Sequence, residues 1–196
     1  AIFAGFITSL TIFGTVTPEI QRMMASCMLL FFIGVKDDVS GVSAFKKFFI
    51  QCIAAGLVVF IADLRITNFQ GFLGLWEIDD NVSYLFTMLT MLMIINAVNL
   101  MDGLDGLAGS VSLIILSIFA YFFLSSPVLL HQAFGLMCVS MVGAIVGFLR
   151  FNFTKASIFM GDTGSLLIGF VVATASIHFV EMQPVESTPA LAIAIL

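Results

Sequence analysis

The chain has 196 residues, 61% of them hydrophobic and only 10% charged, with a formal net charge of -5 and a mean hydropathy of +1.18. A soluble domain carries about a quarter charged residues, so this composition excludes one and indicates a single integral membrane domain. The net charge itself says little about partners: the bilayer is one, and no nucleic acid is expected.

A helix needs about 20 residues to cross the hydrocarbon core. Apolar runs predict spans at 1–14, 21–35, 47–64, 82–101, 108–125, 129–149, 163–181 and 188–196. The first and last are partial, which gives six full and two partial transmembrane helices. The chain opens inside an apolar run at Ala1 and stops inside another, ALAIAIL, with no signal peptide. It therefore reads as one domain over 1–196, truncated at both ends. Cys27, Cys52 and Cys138 all lie in apolar runs, without CxxC spacing or a nearby histidine. They are read as packing residues, not as a zinc site or a redox pair.

The loops sort into two sets. Loops 36–46, 102–107 and 150–162, with their flanks, hold Lys36, Lys46, Lys47, Arg150 and Lys155, five of the seven basic residues. The opposite loops hold Arg22 and Arg65. By the positive-inside rule the first set is cytoplasmic. Outside, the segment 66–80 alternates apolar and polar residues around Gly71 and Gly74 and predicts a short β-hairpin. Trp76 within it and Tyr84 just after it are read as interfacial aromatics.

The same sorting places Asp37, Asp38, Asp102, Asp105 and Asp162 on the basic side. Carboxylates hold Mg²⁺ through one or two contacts and leave its remaining positions to substrate phosphates. Lysine binds phosphate as a point charge. Three stretches carry this mixture. In GVKDDVSGVSAFKKFF, 34–49, adjacent carboxylates repel, which can raise one pKa and create a base; the plainer reading is a solvated loop that fixes topology. In NAVNLMDGLDGLAGS, 96–110, Asn96, Asn99, Asp102 and Asp105 recur every third residue and form a drifting polar stripe. Gly103 and Gly106 break the helix there and let backbone approach a ligand. The plainer reading is an interhelical hydrogen-bond seam. In FMGDTGSLLIGF, 159–170, Asp162 opens a new span and reads either as an N-cap or as a metal carrier beside a helix N-terminus that favours phosphate.

His131 and His178 fall toward the outer side and read as non-catalytic, and no Ser–His or Cys–His pair is visible. The sequons at Asn81 and Asn152 are weak signals, the second on the cytoplasmic side.

Together, Asp37-Asp38 with Lys47, then NxxNxxDGxDGLAxG, then FMGDxGS, in this order and on one predicted face, resemble the polyprenyl-phosphate N-acetylhexosamine-1-phosphate transferases, bacterial glycosyltransferase family 4. The resemblance covers about 34–170 and implies an all-α polytopic helical bundle in the bacterial inner membrane, with its active site on the cytoplasmic face. It implies transfer of N-acetylhexosamine 1-phosphate from a UDP-sugar to undecaprenyl (polyprenyl) phosphate with release of UMP. Mg²⁺, or Mn²⁺ in its place, is the implied cofactor. The details GVSAFKKFFIQ and NLMDGLDGLAG resemble the O-antigen and teichoic-acid initiating branch more than the phospho-N-acetylmuramoyl-pentapeptide branch.

Carried over residue by residue, the resemblance implies that Asn99 and Asp162 hold the metal. Asp37 and Asp38 stand near the lipid phosphate, one of them as a base, and Lys47 binds phosphate. Asn96, Asp102 and Asp105 line the nucleotide and its pyrophosphate. Three departures stand out. Lys155 replaces a proline usual in the family, and neither the N-terminal Gly-Gly stretch nor the His-rich C-terminal loop lies within the sequence. A homodimer through lipid-facing helices is compatible with this reading, though no residue argues for it. The rival from another class is an ion-coupled transporter, which predicts carboxylates near the bilayer midplane and related repeats. Here the acids gather at one face and no repeat is found.

Overall fold

In lipid the backbone must satisfy its own hydrogen bonds, and for one apolar chain without strand alternation that means helices. The computed structural model describes residues 1–69, 76–153 and 156–182. Among these, the α-helices are α1 Ile2–Phe13, α2 Pro18–Ser40, α3 Ala44–Gly56, α4 Asp80–Met101, α5 Leu107–Ser125, α6 Leu129–Asn152 and α7 Gly161–Glu181. α3 runs on through a π-helical turn, Leu57–Ile61. Five segments are long and apolar enough to cross a membrane: Ala44–Ile61, Asp80–Met101, Leu107–Ser125, Leu129–Asn152 and Gly161–Glu181. The protein is an all-α polytopic membrane protein. The expected partial span 188–196 lies outside the described residues, and α1 is a 12-residue helix.

Two expectations are modified. The span at 21–35 is the middle of a helix of 23 residues that runs through Lys36, Asp37 and Asp38 before Gly41 stops it with φ 68°. Polar residues end a membrane crossing without ending a helix. The hairpin expected at 66–80 is, among the described residues, a single antiparallel bridge between Asn68 and Glu77. Hydrogen bonds from Phe69 N to Trp76 O and from Ile78 N to Thr67 O flank it; residues 70–75 lie outside the described residues.

α7 is the axis of the bundle, buried at every position from Gly164 to Val180. A helix apolar all round belongs inside, and here α2, α4 and α5 pack around it. Gly169 makes one of these contacts: a Cβ there would lie 2.9 Å from Ile95 Cα of α4. The hydroxyls of Thr174 and Ser176 bond back to the carbonyls of Phe170 and Val172 in their own helix, so they bring no unsatisfied polarity into the core. Cys27 and Cys138 are buried core residues, Cys52 is half-buried, and all three are free.

Candidate active site at one end of the bundle

The start of α7 organises the site. α2 crosses it closely because Gly34 has no side chain; a Cβ there would fall 2.5 Å from Thr163 Cα. This brings the last turn of α2 over the first turn of α7. Asp38 then caps α7 from outside the helix. Its Oδ1 accepts from Asp162 N at 2.8 Å, and its Oδ2 accepts from Thr163 N at 3.1 Å and from Thr163 Oγ1 at 2.5 Å. Gly161 adopts φ 63° at this junction, and a Cβ would sit 2.8 Å from both Asp38 carboxylate oxygens. The position requires glycine for its backbone angle and for room.

Asp162 therefore lies within the first turn and is not its cap, which leaves its carboxylate free for other contacts. Lys47, one turn into α3, reaches it with a short ion pair and meets Asp37 Oδ2 at 3.1 Å. Asp37 also accepts from Val42 N at 2.6 Å, which fixes the α2–α3 turn. From the last turn of α4, Asn99 Nδ2 donates to Asp162 Oδ1 and, at 2.7 Å, to Ser165 Oγ. Four helices thus deliver one lysine, one amide and three carboxylates to a single point.

Asp102 stands at the end of α4 and accepts from the Gly161 N–H. Burial pushes its carboxyl up to about 6, and the charges of Asp162, Asp38 and Asp105 add to the rise. The native state thus holds the Asp102 proton more tightly than the unfolded chain between the ordinary aspartate value of 3.8 and about 6. Its ionisation opposes folding as pH rises through that window. We expect Asp102→Asn to gain thermal stability over the parent above about pH 6 and to match it below about pH 4; equal differences at both pH values would contradict the placement.

Asp105 is exposed in the turn after Asp102. Asn96 faces elsewhere. It exchanges hydrogen bonds with Gln51 of α3, Nδ2 to Oε1 at 2.9 Å and Nε2 to Oδ1 at 3.4 Å, and donates to Leu92 O. Both asparagines make interhelical hydrogen bonds, Asn96 to α3 away from the cluster and Asn99 to α7 within it. Replacing Asn96 by Ala leaves the buried Gln51 unpaired, and we expect a loss of about 1 kcal/mol of stability with turnover changed less than tenfold.

Sequence reasoning missed Thr163 and Gln51, whose hydroxyl and amide types carry no distinguishing pattern; Ser165, the serine of FMGDxGS, was given no partner and here accepts from Asn99. It also missed Asn152, which is buried. Asn152 Oδ1 accepts from Gly106 N at 2.7 Å and its Nδ2 donates to Ile158 O at 2.9 Å. The asparagine of a weak sequon is a clamp between the 102–106 turn and the loop that leads to α7. Lys155 lies outside the described residues. His131 and His178 sit at the opposite end of the bundle, at the start of α6 and the last turn of α7.

Chemically, the cluster is rich in hard oxygen donors but open. Among the described residues no three Asp, Glu, His or Cys side chains converge into a cation cage. The first N–H groups of α7 are already taken by Asp38 and Asp102, so phosphate charge would fall to Lys47 and to whatever cation Asp162 holds. Asp162 and Asn99 are the residues here that could hold a divalent cation, with positions left for other oxygen ligands.

A bundle with this cluster at one end is a polytopic membrane protein with a charged site where four helices meet. The family model described as glycosyl transferase family 4 matches residues 20–180, a span that includes every residue of the cluster, and the chain belongs to that family. A phospho-N-acetylmuramoyl-pentapeptide-transferase of Staphylococcus epidermidis is 36% identical over 150 residues, 75% of this chain and 47% of the relative. Proteins of the same name from Staphylococcus carnosus and Staphylococcus aureus are 48% and 46% identical over 59 residues, 30% of this chain and 18% of each relative. The chain spans about half the length of the first of these relatives and less of the others.

Proposed function

We propose that the whole protein transfers a phospho-sugar from a UDP-sugar to a polyprenyl phosphate at the cytoplasmic face of a bacterial inner membrane. The observation that carries this reading is the meeting of Lys47, Asn99 and Asp162 at the start of α7. A phosphate oxygen of the lipid attacks the β-phosphorus of the UDP-sugar, a new P–O bond forms, and the bond to the α-phosphate oxygen breaks to release UMP. Two anions must approach, so charge neutralisation dominates. Lys47 is the cation nearest the reacting groups. Asp162, with Asn99 beside it, would hold Mg²⁺ or Mn²⁺, which supplies charge compensation on the pyrophosphate when bound. Asn99 would have to present its amide oxygen, which requires the amide to turn from the orientation that now donates to Asp162. A lipid phosphate monoester is largely dianionic near neutral pH, so no base is needed. Asp37 and Asp38, both engaged by donors, position the site.

Two donors compete. The names of the relatives favour a phospho-N-acetylmuramoyl-pentapeptide donor. The stretches GVSAFKKFFIQ and NLMDGLDGLAG favour an N-acetylhexosamine 1-phosphate donor. The test uses membranes carrying the full-length protein, polyprenyl phosphate and each labelled UDP-sugar, with and without Mg²⁺. Mg²⁺-dependent labelled lipid, suppressed by excess UMP, is the expected result and identifies the donor. Silence across the donor panel would sink the transferase reading and return the ion-coupled transporter.

A further inference from the structure

At the end of the bundle opposite the cluster, the chain builds a second site that the transfer reaction does not use. A cavity of about 300 Å³ opens between the start of α2, the end of the π-helical turn, the start of α6 and the last turn of α7. Met23, Leu130 and Phe134 give it an apolar wall, and Glu19, Glu181 and His178 give it polar groups. His178 is 6% exposed, and its Nε2 is the buried side-chain atom left without a hydrogen-bond partner among the described residues. Its ring is held by stacking on Phe134, with centroids 3.7 Å apart and planes 17° apart. A buried polar atom with no partner in a native fold calls for an occupant.

The charges around the cavity say what kind. Arg65 lines it too, but its guanidinium is committed, with Nε on Asp63 at 2.8 Å, NH1 on Asp80 at 2.6 Å and its plane over Tyr84. Among the described residues Glu181 forms no ion pair; its carboxylate accepts from Thr67 N at 3.0 Å and from Thr67 Oγ1. Glu19 lies in the first turn of α2, where the helix dipole favours the anion. Two carboxylates with no basic partner among the described residues thus face an apolar, aromatic-walled space. A bare divalent ion is a poor guest, because among the described residues three ligating side chains do not converge here and most of the wall is apolar.

The geometry points to a binding site for an organic ammonium: a cationic amine on Glu19 and Glu181, its apolar body against Met23, Leu130 and Phe134, and its polar edge within reach of His178. An ethanolamine lipid headgroup and a free alkylamine share this chemistry. The inference is independent of the transfer reaction.

The test is fluorescence titration of dansylcadaverine, a primary amine on an apolar body, into full-length protein in phosphatidylcholine nanodiscs, with empty nanodiscs subtracted. We expect saturable binding, displaced by hexylammonium and not by hexanol. Loss of one charge-assisted contact in Glu19→Gln weakens binding about tenfold or more. Glu19 lies in the first turn of α2, clear of the Thr67 contact that Glu181→Gln disturbs, so this variant stays informative if Glu181→Gln does not fold. Nanodiscs containing phosphatidylethanolamine separate the sources: displacement of the probe identifies the lipid headgroup, and retention identifies a soluble amine. Absence of saturable binding, equal displacement by hexanol, or parent-like affinity in Glu19→Gln overturns the proposal.

Discussion

Lys47→Ala is expected to lower turnover of the full-length protein by about 10²–10³, the usual cost of losing one group aimed at developing charge, without raising the Mg²⁺ concentration needed for half-maximal rate. The second half of this expectation comes from the geometry. Lys47 is ion-paired with Asp162 and with Asp37, so it competes with any cation for Asp162. If Asp162 holds the metal as proposed, removing Lys47 would free that carboxylate and leave metal affinity equal or higher while the phosphate would lose its counter-charge. Lys47→Arg should rescue little. A planar guanidinium cannot take the place of a compact ammonium between two carboxylates from different helices. A steady-state titration of Mg²⁺ for parent and variant checks both parts. If Lys47→Ala keeps turnover within a few-fold of the parent, Lys47 is a structural strut and not the phosphate group.

The helices were legible because the apolar runs are long and uninterrupted, and α2 shows where that signal fails. Hydropathy marks the edge of the membrane, so it drops Lys36, Asp37 and Asp38 into a loop. The backbone obeys Gly41 instead. This matters for the site, because a helical Asp37 and Asp38 point in fixed and different directions: Asp37 toward Lys47 and the turn at Val42, Asp38 toward the N–H groups of α7. The π-helical turn at Leu57–Ile61 left no sequence mark at all. Of the four polar residues spaced by three, Asn99 and Asp102 reach the cluster, Asn96 meets Gln51, and Asp105 is exposed in the following turn. A step of three falls short of a helical turn of 3.6 residues, which separates Asn96 from Asn99, and Asp102 and Asp105 lie beyond Met101, where the helix has ended. Membership of the cluster depends on which neighbouring helix each residue meets, and only the packed bundle supplies that.

The capping of α7 by Asp38 separates two roles that the sequence leaves merged. Asp38→Ala removes the acceptor for Asp162 N, Thr163 N and Thr163 Oγ1 at once. We expect it to cost about 1–2 kcal/mol of stability, as loss of a cap does. We also expect it to cut turnover by about 10² or more, because a small misplacement of reacting groups carries that cost. A general base would behave alike in Ala and Asn variants, since neither accepts the proton. A cap would not, because asparagine is among the best capping residues and keeps one acceptor oxygen. Asp38→Asn is therefore expected to stay within about tenfold of the parent, with an unchanged pH profile of kcat/KM. The pair of variants is measured together, with melting temperature and pH dependence for each. Asn and Ala variants equally inactive, with parent-like melting, would assign the proton to Asp38. Recovery in the Asn variant would fix the acid over the helix end as the device that aims Asp162 between Lys47 and Asn99.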